Sequence, residues 1–237
     1  MSEAKLKPQV YKDPRPATYF DGFHRRARRA RGFGATYAFV RFLMTPLTYL
    51  FFRLKSIDMG NVPTTGPVIL ACNHFSQFDH FFAGVRLRRY IQFMAKSQLF
   101  KQPLAFILTH GGVFPVRRGY DDQEAFLTAK TILDKGGLVL IYCEGGRSRT
   151  GELGEPKRGV GRIALDSGAP VIPVAIHGSA GVRNWTRLRF PKVTVQYGEP
   201  IYFDAVPDST REQQDAVAHA IFDQVKALYA GLESQSV

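Results

Sequence analysis

The stretch 138–143, LVLIYC, decides the fold. It is apolar at every position, without the alternation of a half-exposed strand, and so suits a strand covered on both faces. Working outward, helix-length segments flank it near 121–135 and 158–167. The pattern then repeats along the chain. Strands are expected at 68–72, 91–95, 112–116, 138–143, 171–177 and 193–197, and helices near 78–89, 98–109, 121–135, 158–167 and 209–231. This alternation predicts an α/β fold with a mostly parallel central sheet flanked by helices. In such sheets ligands sit where strands end and loops begin. Ser209, with Glu212 three residues on, reads as the capping box of the last helix. Pro173, inside VIPVAI at 171–176, argues against a fully hydrogen-bonded central strand position.

A chain of 237 residues with a 45% hydrophobic fraction can bury a real core. Its 32 Lys and Arg against 20 Asp and Glu give a net charge of +12. That excess implies an anionic partner: nucleic acid, an acidic bilayer or a phosphorylated substrate. Cys72 and Cys143, the only cysteines, each end an apolar run and read as small core residues in a reducing compartment. No paired Cys or His spacing supports a metal site. The first ~20 residues are polar with several prolines and lack an apolar signal core, so catalysis in or facing the cytoplasm is the default expectation.

Residues 24–31 read HRRARRAR, and the apolar, aromatic run ATYAFVRFLMTPLTYLFF follows at 35–52. That run carries Arg41 and Pro46 and falls short of the ~20 apolar residues of a spanning helix. A broken or re-entrant hairpin, or a helix lying in the membrane interface, fits it better. The arginines would then meet anionic headgroups. The competing reading is a soluble amphipathic helix packed on the domain, with a basic solvated arm. No zinc-finger, RNP-type or basic-zipper pattern supports nucleic-acid binding. The expected division is 1–54, basic arm and membrane-associated helical segment, and 55–237, catalytic domain, joined by a linker over about 54–66.

Four polar elements lie at strand ends. NHFSQFDH places Asn73 and His74 after the first long strand and Asp79 five residues beyond His74. The two side chains meet if His74 lies in the loop and Asp79 in the opening turn of the helix. An Asp accepting from Nδ1–H fixes the imidazole tautomer and leaves the other nitrogen free to act as a base. GGVFPVRRG, 111–119, ends in Arg117 and Arg118, which cannot both point the same way on an extended strand. One of them forks onto a phosphate while the other faces solvent. YCEGGRSRTGELGEPKRG, 142–159, delivers Glu144, then Gly145 and Gly146, which permit close backbone approach to a ligand, then Arg147. Lys157 opens the next helix, where a helix N-terminus and basic side chains together favour an anion. VIPVAI taken alone is core.

Together, in this order and at these spacings over roughly 61–200, the four elements resemble the lysophosphatidic acid acyltransferase family of glycerolipid acyltransferases. NHFSQFD looks like the NH-x4-D motif of that family, VFPVRRG its second motif, CEGGRS its FPEGTRS motif and VIPVAI its fourth. The chain departs from the pattern at Cys143, where a proline is usual, and at Gly146, where a threonine is usual. The resemblance implies transfer of a fatty acyl chain from acyl-CoA or acyl-carrier protein to the sn-2 hydroxyl of 1-acyl-glycerol-3-phosphate. It implies His74 as base, held by Asp79, and a substrate site of Arg118 (the better match to the family's arginine) with Arg117, Glu144, Gly145, Gly146, Arg147 and Lys157. Glu144 would order an arginine or a substrate hydroxyl, and backbone N–H groups near Gly145 would serve the oxyanion. No cofactor is implied beyond the thioester co-substrate, and a leaving thiolate requires no metal. The expected location is peripheral or monotopic on the cytoplasmic face of the cell membrane, with an anionic membrane and acyl-carrier protein as partners and no nucleic acid.

Other acceptors remain open: glycerol 3-phosphate, another lysophospholipid or a glycolipid. A serine hydrolase would need a G-x-S-x-G elbow, and the nearest match is His177-Gly-Ser-Ala-Gly181. A non-enzymatic lipid-surface binder would use the arginine run and the apolar segment but leave the His/Asp pair without a task.

Overall fold

The computed structural model describes residues 12–30, 32, 34–148, 150–182 and 190–235. Arg31 of the basic run, Arg149 of the Gly-Gly-Arg loop and residues 1–11 lie outside these.

LVLIYC forms β5, Leu138–Tyr142, and both of its faces are buried. Leu138 and Leu140 enter one apolar cluster, Val139 and Ile141 the other. Beside it lie β2 (Val68–Cys72) and β3 (Ile91–Lys96); β4 (Val113–Val116) forms one edge. On the other side follow β6 (Val171–His177), β7 (Thr194–Tyr197) and β1 (Lys55–Ile57). The strand order is β1-β7-β6-β2-β5-β3-β4. Every pairing is parallel except β6 with β7. The expected mostly parallel sheet flanked by helices is therefore present.

The helices are α1 (Asp21–Arg29), α2 (Ala35–Leu50), α3 (Asp79–Gly84), α4 (Leu104–His110), α5 (Gln123–Asp134), α6 (Gly159–Ser167) and α7 (Arg211–Ser234). The helices α6 and α7 pack so closely that a Cβ on Gly161 would stand 2.0 Å from the Gln214 carbonyl oxygen. Only glycine permits that approach.

Several expectations need correction. The linker over 54–66 holds an edge strand, because Lys55 pairs with β7. The helix near 78–89 stops at Gly84. Beyond it Arg89 donates to the carbonyls of Pro63, Gly66 and Gly136, which draws the chain to the N-terminal edge of the sheet. The helix near 98–109 starts only after Pro103, at Leu104. The capping box belongs to Thr210 and Gln213, not Ser209 and Glu212: each backbone N–H of the Thr210/Gln213 pair is taken by the other's side chain. Pro173, by contrast, is as expected: it lies in an interior strand, but at a position that is not fully hydrogen-bonded. It sits just beyond the Val174–Tyr197 end of the β7 ladder, where pairing passes to the Val171–Ile201 bridge. A missing N–H costs little at such a break.

The described part of the basic run, 24–30, does not form a free arm. His24 is buried with Nδ1 3.0 Å from the Thr128 hydroxyl, Arg28 pairs with Glu124 at 2.6 Å, and Gln92 donates to the Ala27 carbonyl. Helix α2 is continuous through Pro46 rather than a broken hairpin, and it packs on α3 and α4. No described helix is long and apolar enough to cross a membrane.

Candidate active site

Strand β2 ends at Cys72 and hands the chain to Asn73 and His74. Asn73 is fully buried. Its side-chain oxygen accepts the Ile176 N–H at 2.7 Å, and its amide donates to the Ile176 carbonyl at 3.0 Å. This clamp to β6 fixes where the next residue starts. Asp79 opens α3 and is fully buried. Its Oδ2 accepts from the backbone N–H groups of Phe75 and Ser76, both at 2.7 Å, and lies 2.8 Å from His74 Nδ1. Three donors compensate the desolvation of the carboxylate. The five-residue spacing therefore folds as expected, with His74 in the loop and Asp79 in the first helical turn.

The imidazole of His74 stacks on the Tyr142 ring, centroids 3.6 Å apart and planes 10° off parallel. Asp79 on one edge and Tyr142 on one face leave Nε2 as the nitrogen open to a ligand. Burial pushes the imidazole below its ordinary range; Asp79 pulls the other way, and the positive fields of Arg147 and Arg118 reinforce the fall. At neutral pH the ring is a neutral base. His80 points elsewhere. It stacks on Phe93 at 4.7 Å, and burial pushes its imidazole down to about 4.

Next to Tyr142 opens a cleft of about 830 Å³, lined by Arg118, Glu144, Gly145, Gly146, Arg147 and Lys157 among others. The structure thus gathers every residue of the expected substrate site except Arg117. That side chain turns away, donating to the Arg15 carbonyl at 3.0 Å with its guanidinium over the Tyr120 ring. The two arginines do part, but not by strand alternation: the strand ends at Val116, and a turn closed by the Tyr120 N–H on the Arg117 carbonyl separates them.

Glu144 is placed as expected but occupied differently. Its Oε2 accepts the His74 N–H at 2.9 Å and its Oε1 the Gly154 N–H at 2.8 Å. The carboxylate ties the His74 loop to the 150s loop rather than ordering an arginine or a substrate hydroxyl. Burial raises its pKa above the ordinary carboxylate value. Gly145 takes φ +65°, with its N–H bonded to the Tyr142 carbonyl at 3.0 Å, so that amide is not free for an oxyanion. A Cβ on Gly145 would also crowd the Lys157 stem at 3.0 Å.

Sequence reasoning missed two contributors. Tyr142 reads as one more strand residue until its register beside Cys72 is known, and the clamp made by Asn73 needs the β2–β6 pairing. The His177–Gly181 segment is no nucleophile elbow. Ser179 is fully buried, and a Cβ on Gly178 would meet the Lys192 carbonyl oxygen at 2.1 Å.

Comparison with known proteins gives a consistent placement. A 1-acyl-sn-glycerol-3-phosphate acyltransferase of Arabidopsis thaliana, LPAT1, chloroplastic, is 26% identical over 138 residues, 56% of this chain and 38% of that protein. The Homo sapiens 1-acyl-sn-glycerol-3-phosphate acyltransferase beta is 30% identical over 160 residues, 63% and 56% respectively. The chain thus spans about half or less of these relatives. The crystal structure of the 1-acyl-sn-glycerophosphate acyltransferase PlsC from Thermotoga maritima shares the fold, with a TM-score of 0.56 and 23% identity over 90% of this chain and 89% of that one. The acyltransferase family model matches residues 53–177, from just before β1 through β6 and across the whole His74–Glu144 constellation, and this chain belongs to that family.

Proposed function

We propose that the protein transfers a fatty acyl chain from an acyl thioester, acyl-CoA or acyl-carrier protein, to the sn-2 hydroxyl of 1-acyl-glycerol-3-phosphate, giving phosphatidic acid. One observation carries this reading: an oriented, neutral imidazole beside a cleft whose cations among the described residues are Arg118, Arg147 and Lys157. The acceptor oxygen attacks the thioester carbonyl as His74 Nε2 takes its proton. The tetrahedral intermediate collapses with cleavage of the C–S bond, and the imidazolium returns the proton to the departing sulfur. In this reading the oxyanion falls to backbone N–H groups of the loop after the Gly145 turn, those of Gly146 and Arg147. Arg118, Arg147 and Lys157 hold the acceptor phosphate, and its fixed distance from His74 selects the hydroxyl.

The membrane side of the reading rests on exposed apolar residues. On α2, Phe39, Phe42 and Leu50 are 65%, 78% and 75% exposed; on α4, Phe106 and Ile107 are 55% and 47% exposed. Such a face lies in the interface of one leaflet. Between α2, α3 and α4 lies a small cavity of about 110 Å³, lined by Val40, Phe81, Val85, Phe93 and Ile107 together with Tyr37, Arg41 and His80, with room for no more than the end of one acyl chain.

A matrix of donors and acceptors in detergent, with product regiochemistry read by mass spectrometry, tests the proposal. Transfer to the 2-position of 1-acyl-glycerol-3-phosphate is expected, and monoacylglycerol, which lacks the phosphate, should be a poor acceptor. Vesicle binding without transfer in any combination would leave the lipid-surface binder instead. In the same assay Arg118→Ala should raise the acceptor KM about 10- to 100-fold, the worth of a hydrogen bond to a charged group, with a small change in kcat. An unchanged KM removes Arg118 from the phosphate site.

A further inference from the structure

A second basic cavity lies far from His74. It measures about 720 Å³ and is lined by Arg25, Arg26 and Arg29 of α1, Ala35 and Thr36 of α2, and Tyr90 and His110. The three arginines are exposed, and none makes an ion pair among the described residues, whereas Arg28 on the inner face of α1 is neutralised by Glu124. Three unneutralised guanidiniums around one hollow repel each other, and an anion relieves that repulsion. The first turn of α2 adds to the field: Gly34 offers no side-chain cap, no acidic residue stands in that turn, and the free amides of a 16-residue helix open towards the cavity.

The position separates this cavity from the acceptor site. Tyr90 precedes β3, whose Ile91 pairs with Leu138 at the start of β5, so the cavity is at the N-terminal edge of the sheet. His74 follows the C-terminal end of β2, at the opposite edge. Helix α2 connects the two. It starts at the cavity, runs on the order of 24 Å, and leads into Phe52, which packs on Phe78 and Phe82 around Asp79.

Charge alone does not choose the anion; the rim does. Directly beyond the arginines the surface continues into Phe39, Phe42 and Leu43 of α2 and Phe106 and Ile107 of α4, all exposed. An anionic group carrying acyl chains satisfies both surfaces at once, whereas a free phosphate leaves the apolar stripe in water. We infer that this cavity is a headgroup site for an anionic phospholipid of the bilayer, with its chains along α2 and α4. It is a resident-lipid anchor at the opposite end of α2 from the catalytic cleft. The inference rests on the membrane-surface reading of α2.

The test uses the full chain and the triple variant R25A/R26A/R29A. Sedimentation with phosphatidylcholine vesicles is compared with sedimentation on phosphatidylcholine doped with phosphatidylglycerol. Wild type should prefer the doped vesicles, and the triple variant should lose about 100-fold there, roughly fivefold per arginine. Binding of both proteins to pure phosphatidylcholine should be equal. Acyl transfer in detergent should not change. Phe42→Ser should weaken binding to both vesicle types alike, which reports the apolar stripe separately. Equal binding of wild type and triple variant to doped vesicles overturns the site. So does calorimetric binding of inorganic phosphate as tight as that of dihexanoyl phosphatidylglycerol. If wild type binds neither vesicle, the membrane reading fails on its own; arginine-dependent binding of dihexanoyl phosphatidylglycerol would still uphold the headgroup site, and its absence would end it.

Discussion

His74→Ala should lower kcat for acyl transfer by about 10²–10⁴-fold, the usual contribution of a positioned base, while the acceptor KM moves little. The phosphate is held by Arg118, Arg147 and Lys157, which the substitution does not touch. The structure should survive the change, because the imidazole hangs from a loop fixed by other bonds: the His74 N–H on Glu144, the His74 carbonyl on the Ser148 N–H, and the Asn73 clamp to Ile176. The pH dependence gives a second check. The neutral ring is the active form, so kcat/KM, which reports the free enzyme, rises as pH climbs through the His74 pKa. Burial has moved that pKa below the ordinary 6.5, and the acid limb should therefore have its midpoint under 6.5. In His74→Ala the limb should vanish from the residual rate. Purified variant protein that transfers at the wild-type rate would remove His74 from the chemistry.

The parts of this site that sequence disclosed are those governed by local geometry. The His74–Asp79 spacing fits one loop-to-helix turn, so that outcome follows from few residues; the adjacent arginines diverge too, but in a turn after Val116 rather than on the extended strand the sequence suggested. The β5 run is apolar at every position because two layers cover it, and that too is legible one segment at a time. The missed features depend on residues distant in sequence. Glu144 binds the backbone of His74 across 70 positions, and Asn73 binds Ile176 across 103. Helix α3 stops at Gly84 because carbonyls at 63, 66 and 136 capture Arg89. By composition the basic segment reads as an arm meeting headgroups or, in the competing reading, solvent, since four of its described residues are arginines; the minority, His24 and Ala27, instead tie it to α5 and the sheet. The Ser209 and Thr210 boxes satisfy the same spacing rule, and only the starting point of α7 separates them.

The largest combined effect on activity and stability belongs to Asp79. Asp79→Ala should lower kcat by the same 10²–10⁴-fold as loss of the base, because His74 then has neither a fixed tautomer nor a counter-charge. It should also destabilise the fold, since the Phe75 and Ser76 N–H groups lose their common acceptor in a buried loop, at about 1–3 kcal/mol for each stranded donor. Asp79→Asn separates charge from orientation. The two backbone amides aim at Oδ2, so an asparagine must place its carbonyl oxygen there and still accept from Nδ1. The tautomer is kept and only the charge is lost. The asparagine NH₂ then takes the place of Oδ1, which is buried without a partner among the described residues, and some stability is lost there as well. A neutral acceptor makes a hydrogen bond to imidazolium about half as strong as a carboxylate does, so kcat should fall only about tenfold. The ranking wild type, then Asn, then Ala is the signature of a carboxylate that both aims and stabilises the base. Thermal unfolding alongside kcat keeps the two losses apart. A double variant, His74→Ala with Asp79→Ala, should be no slower than either alone, because the pair acts as one unit. If Asp79→Asn transfers as fast as wild type, the charge has no part in the reaction. If the double variant is slower than each single variant by the product of their effects, Asp79 acts on something other than His74.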